Sequence, residues 1–168
     1  ILARSSSMAA FDVFSSARRL REEACRQTEK TRRPAVLSDL YAVIGQATSL
    51  MASTAFDLGH WNESSALARA STQYADLAGH ASLKAWTYGL QVTLANWRHE
   101  PDAAIDYFER GMTEAPAGEP RLRLRYIAAR SYALVGDERT VADLLASAER
   151  DRDAAAGRTD ELSGSIGG

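Results

Sequence analysis

The sequence predicts an all-α protein built from helical hairpins in series, and three observations carry that prediction. Apolar residues recur at spacings of three and four through most of the 168 residues, the stripe of an amphipathic helix. Alanine is the commonest residue, with 31 copies, and it loses little side-chain entropy in a helix while letting neighbours approach closely. Glycine and proline fall mainly between the periodic stretches, where they stop one helix and start the next. No stretch alternates convincingly with period two.

From Met8 to about Lys30, apolar residues at Met8, Phe11, Phe14, Ala17, Leu20 and Ala24 trace one helical face. Arg33-Pro34 is expected to end that helix, because a proline biases its predecessor away from helix. A second helix follows from about Leu37 to Leu58, with Leu40, Ile44, Ala47, Met51, Ala55 and Leu58 on one side. Gly59-His60 makes a turn, and Asn62 is expected to cap a third helix over about 62–78 that carries Ala66, Leu67, Ala70, Tyr74 and Leu77. Gly79-His80 breaks it. A fourth helix, about 81–98, shows Leu83, Trp86, Leu90, Leu94 and Trp97. Pro101-Asp102 opens a fifth, bearing Ile105, Phe108 and Met112 and closed by Pro116. Pro120 suits the first turn of a sixth, with Leu124, Ala128, Tyr132 and Val135. Gly136-Asp137 leads into a seventh with Val141, Leu144, Leu145 and Ala148, and after Asp151 the pattern fades.

Connections this short make successive helices antiparallel. The expected organisation is one domain over 1–168: a leading helix in 1–34, hairpins at 37–79, 81–116 and 120–151, and a polar tail at 152–168, with both ends expected to be cut from a longer chain.

Gly59, His99 and Gly136 occupy the turn inside each hairpin, 40 and 37 residues apart. Five residues further on stand Ser64, Ala104 and Val141; nine further, Ala68, Phe108 and Leu145; twelve further, Ser71, Gly111 and Ala148. Small residues let helices approach, bulky ones fill the gap to the adjacent hairpin, and no hairpin covers its apolar face alone. In these residues the chain resembles the tetratricopeptide repeat over 37–151, best at Gly59-His60-Trp61 and from Phe108 to Pro116. It departs from that pattern in a spacing above the usual ~34 residues, in His99 at a glycine position and in Arg125 at an apolar one. The resemblance implies hairpins stacked as a right-handed superhelix, with a concave groove lined by first helices that holds peptides.

A narrower likeness lies in Ala85-Trp86, Gly89, Ala95-Asn96-Trp97 and the turn from Pro101 to Ala104, together with Asp160-Glu161-Leu162 and Ile166-Gly167-Gly168. These residues resemble the repeat region of bacterial phage-repressor-like (Xre-type) helix-turn-helix transcriptional regulators. The resemblance implies a sensing or oligomerising module, compatible with a homodimer, whose DNA-binding part is not in this chain.

The net charge of −2 gives no whole-chain pull toward nucleic acid or an anionic membrane. No apolar run is expected to approach the roughly 20 residues of a bilayer span. Cys25 stands alone, so no intramolecular disulfide can form and a reducing, cytoplasmic setting is expected. Among its arginines this cysteine reads as an ordinary thiol beside an apolar stripe rather than a redox centre. A phosphate-binding loop, a dinucleotide glycine pattern, a nucleophile elbow and a cysteine pair are all absent from the sequence, so neither catalysis nor a cofactor nor a metal is expected. His60, His80 and His99 fall at turns, where helix-ending roles are expected instead of metal ligation. The run from Arg18 to Arg33 holds seven basic and three acidic residues and reads as a solvated face with local ion pairs rather than a phosphate-binding patch.

The constellation that points to binding is Arg123, Tyr126 and Arg130, placed on one side of a first helix by steps of three and four. The equivalent face one hairpin earlier gives Trp86, Thr93 and Asn96, with Gly89 leaving room, and the hairpin before that gives Gln46, Ser49 and Ser53. Together they are expected to line one groove, its guanidinium forks suited to a carboxylate or phosphate. Trp86 and Trp97 read first as packing residues. The expected function is a non-catalytic ligand- or peptide-sensing domain of a cytoplasmic bacterial transcriptional regulator. It would take a peptide, a small acidic ligand or a partner protein in the groove. The alternative is a general tetratricopeptide-type protein–protein adaptor or oligomerisation scaffold.

Overall fold

A computed structural model of the chain describes the backbone of residues 2–164 and the side chains of residues 9–153. The described residues form seven α-helices and no strand: α1 (Leu2–Thr28), α2 (Pro34–Asp57), α3 (Trp61–Ala78), α4 (Ala81–Trp97), α5 (Pro101–Glu114), α6 (Glu119–Leu134) and α7 (Glu138–Gly164). The side chains of Met8, Asp160-Glu161-Leu162 and Ile166-Gly167-Gly168 lie outside the described ones.

The turn positions behave as one set. Gly59, His99 and Gly136 all have positive φ, at 80°, 58° and 76°. Each turn closes with the same two bonds: His60, Glu100 and Asp137 donate their N–H to the carbonyls of Ala55, Ala95 and Tyr132, while the turn residues donate to Phe56, Asn96 and Ala133. This is the left-handed helix cap for which glycine is the usual residue, and His99 adopts it without being glycine. The Gly79-His80 turn closes the same way, with Gly79 at φ 62°, and the His80 side chain also caps α4, its Nδ1 accepting the Leu83 N–H at 3.1 Å.

Three boundaries differ from the sequence expectation. Pro34 is the first residue of α2 and not a stop, with Arg33 extended before it, since a proline needs no N–H donor in a first turn. Asn62 lies inside α3, whose cap position is His60, and its Oδ1 instead accepts from Arg98 at 2.9 Å. The segment expected as a tail continues α7 as far as Gly164, in keeping with the helix-favouring Ala154-Ala155-Ala156.

Each helix packs against the next, and α2 also touches α4, as α4 touches α6. Among the described residues α1 contacts α2 and α7 contacts α6. α2, α4 and α6 therefore form one continuous layer, with α3, α5 and α7 attached to it. Two core clusters flank α4. One joins Ala85, Val92 and Ala95 to Ala104, Phe108, Leu124 and Ala128; the other joins Leu90 and Leu94 to Ala52 and Ala68. Lys84 fastens α4 on both sides through ion pairs to Asp76 of α3 (2.6 Å) and Glu114 of α5 (3.0 Å). Its pKa is raised, chiefly by the hydrogen bond to Asp76.

α2 is, by length and composition, apolar enough to cross a membrane, which corrects the expectation that no such segment exists. Its apolar character has a packing use: it touches α1, α3 and α4 and buries Ile44, Ala47, Met51, Ala52 and Ala55. Two arginines of the basic stretch are ion-paired on α1 itself, Arg18 with Glu22 and Arg26 with Glu23, and this lowers the pKa of both carboxylates.

Candidate binding face on helices α4 and α6

Two arginines of α6 reach across to two tryptophans of α4. The Arg123 guanidinium carbon lies 5.1 Å from the Trp86 ring centroid, and that of Arg130 lies 5.4 Å from the Trp97 ring. Both are within cation–π range. The pairs differ in what else they do. Arg123 also donates from Nη1 to the Trp86 carbonyl at 3.2 Å, and burial pulls its pKa below the ordinary guanidinium value. A methyl group at Gly89 would collide with the Arg123 guanidinium and come within 3.4 Å of Ile127. The room that Gly89 leaves is thus filled by the protein's own arginine, which corrects the expectation of open space there. Arg123 is substantially a packing group.

Arg130 is exposed, and its surroundings are more open. Thr93, Asn96, Trp97, Tyr126, Ile127 and Arg130 line a cavity of about 160 Å³ between α4 and α6. Thr93 turns its hydroxyl back to the Gly89 carbonyl at 2.9 Å. Asn96 is only 2% exposed; its Nδ2 makes a long 3.5 Å bond to the Ile127 carbonyl, and its Oδ1 has no hydrogen-bond partner. A buried acceptor left open is costly, on the order of 1–3 kcal/mol. A second cavity of about 180 Å³, lined by Ser82, Trp86, Glu119, Pro120 and Arg123, lies farther along the same pair of helices.

Of the nine residues expected to line one groove, the α4–α6 face brings together Trp86, Thr93, Asn96, Arg123, Tyr126 and Arg130. The α2 residues do not join them in either cavity. Gln46 is exposed and Ser53 half-buried, while Ser49 is buried and donates to the Gln46 carbonyl at 2.8 Å. Ser49 thus satisfies its hydroxyl proton on the preceding turn of its own helix. Trp97, which the sequence presents as a packing residue, and Glu119, which no sequence pattern singles out, also line these cavities. The signal for Trp97 was present, since an aromatic at each end of α4 has an arginine about one repeat further on. Arg125, out of place in an apolar pattern, pairs with Asp151 and so ties α6 to α7.

Among the described residues no three His, Cys, Asp or Glu side chains converge as metal ligands, and Cys25 is half-buried and free. The chain matches no family model, no curated protein and no solved structure.

Proposed function

We propose that this chain is a tetratricopeptide-like sensing or interaction module that binds an acidic-ended peptide or small acidic ligand across α4 and α6. The observation that carries this reading is the cavity lined by the exposed Arg130 and by Asn96, whose buried Oδ1 has no hydrogen-bond partner. A guanidinium supplies donors for a carboxylate, and the amide oxygen accepts an N–H; a peptide end carries both groups. Trp97 and Tyr126 add apolar surface beside them. Because α4 and α6 belong to successive hairpins, a ligand held by both favours one angle between those hairpins and disfavours others. In a regulator of the kind the sequence resembles, that bias would be passed to a DNA-binding part outside these residues.

The test is calorimetric titration with short peptides bearing a free C-terminal carboxylate, alongside the same peptides as C-terminal amides. Arg130→Ala is expected to weaken binding of the free acids by roughly tenfold or more, the weight of one hydrogen bond to a charged group, with little effect on the amides. Unchanged affinity in Arg130→Ala would dismiss the reading. Arg123→Ala is the poorer test, because it also empties the space above Gly89.

A further inference from the structure

A different cavity lies at the edge where α2 and α4 end. Phe56, Asp57, Gly59, Trp61 and Trp97 line about 320 Å³. This is the small end of the roughly 300–1,000 Å³ typical of ligand pockets. The Phe56 and Trp97 rings are 6.0 Å apart at 69°, and Trp61 lies 6.3 Å from Trp97 at 44°. Three rings thus meet around one space, two of them tryptophans left 39% and 47% exposed.

The electrostatics point to the sign of the occupant. Asp57 is the last residue of α2, a position where a negative charge opposes the helix dipole and a cation is favoured. No described basic side chain pairs with it. The N-terminus of α3, which opens on the same edge, has its own acid, Glu63, in its first turn. Two guanidinium groups are near, and neither lines this cavity. Arg98 is bonded to the Trp61 carbonyl and to Asn62, and Arg130 lies over Trp97 and lines the other cavity but not this one.

From this we infer that Phe56, Trp61 and Trp97 with Asp57 form an aromatic cage for a quaternary ammonium group. Ring faces attract a cation through their quadrupole, and the carboxylate adds its charge. Methylation of the cation matters for a physical reason. A plain ammonium brings three N–H donors, and the lining offers one carboxylate beside three rings, whereas a trimethylammonium has no donor to leave unsatisfied.

The experiment is a proton NMR titration of the whole chain with tetramethylammonium chloride, ionic strength being held constant with sodium chloride. Saturable broadening of the methyl singlet is expected, with shifts of the indole signals. Choline is expected to bind about fivefold or more tighter than its neutral isostere 3,3-dimethylbutan-1-ol. Trp61→Leu, at an exposed first-turn position, should weaken binding roughly tenfold, and Asp57→Asn roughly threefold, with unchanged circular dichroism in both. Equal affinity for choline and the isostere, or an unchanged titration in either variant, overturns the assignment. Free choline and a neutral peptide carrying trimethyllysine, run side by side, distinguish a small-molecule source from a protein tail by which binds tighter.

Discussion

In the hairpin of α2 and α3 the two small-residue positions are serines, and each donates its hydroxyl across the helix interface, Ser64 to the Ala52 carbonyl at 2.7 Å and Ser71 to the Gly45 carbonyl at 2.8 Å. In the hairpin of α4 and α5 the same positions are Ala104 and Gly111, and neither makes a polar contact there. Ala104 is fully buried, and a methyl on Gly111 would stand 2.9 Å from Tyr88 Cβ and 3.2 Å from Leu124. The shared requirement is smallness. Polarity is allowed where a helix carbonyl, already bonded within its helix, has a lone pair to spare. Between these positions the hairpins diverge again, Ala68 against Phe108, and Phe108 uses its size to reach Tyr132 of α6 edge-on at 6.1 Å.

That contrast can be broken in order of effect. Phe108→Ala removes the largest buried side chain of the core cluster that joins the second and third hairpins and should cost about 3–5 kcal/mol in urea unfolding. At the equivalent place Ala68 is fully buried, so there the neighbouring helices close on a methyl group. Gly111→Ala should cost about 1–3 kcal/mol, because the atoms it meets are a Cβ and a buried leucine that cannot swing aside. A loss below 0.5 kcal/mol, roughly the surface-substitution range, would mean that α5 and α4 are less tightly apposed. Ser71→Ala is expected to cost about 1 kcal/mol, one hydrogen bond, since the Gly45 carbonyl keeps its helical partner. Smallest, and opposite in sign, His99→Gly should stabilise the chain by about 0.5–1 kcal/mol by relieving a left-handed non-glycine residue. If it destabilises instead, the His99 side chain has a role in the turn beyond its backbone.

Much of the helical order could be read from local chemistry. The turn at His99 was aligned with Gly59 and Gly136 by spacing, and its backbone takes the same conformation although histidine gives no hint of it. Pro34 was legible as a boundary but not as which side of one, because the same fixed φ serves a stop and a first turn. For the candidate binding face, periodicity places Arg123, Tyr126 and Arg130 on one side of α6, and it has no means to separate a packing arginine from an open one.

The sequence by itself determined seven helices, their order, and the small positions where they approach, since each depends on residues within a few places of one another. Only the tertiary structure decided that Arg123 fills the gap over Gly89, that Asn96 is buried with one oxygen unmet, and that Phe56, Trp61 and Trp97 converge beside Asp57. The physical reason is that helical spacing fixes a side chain's direction about its own axis. What it meets there depends on the distance and crossing of a neighbouring helix, which the packing of the whole row sets.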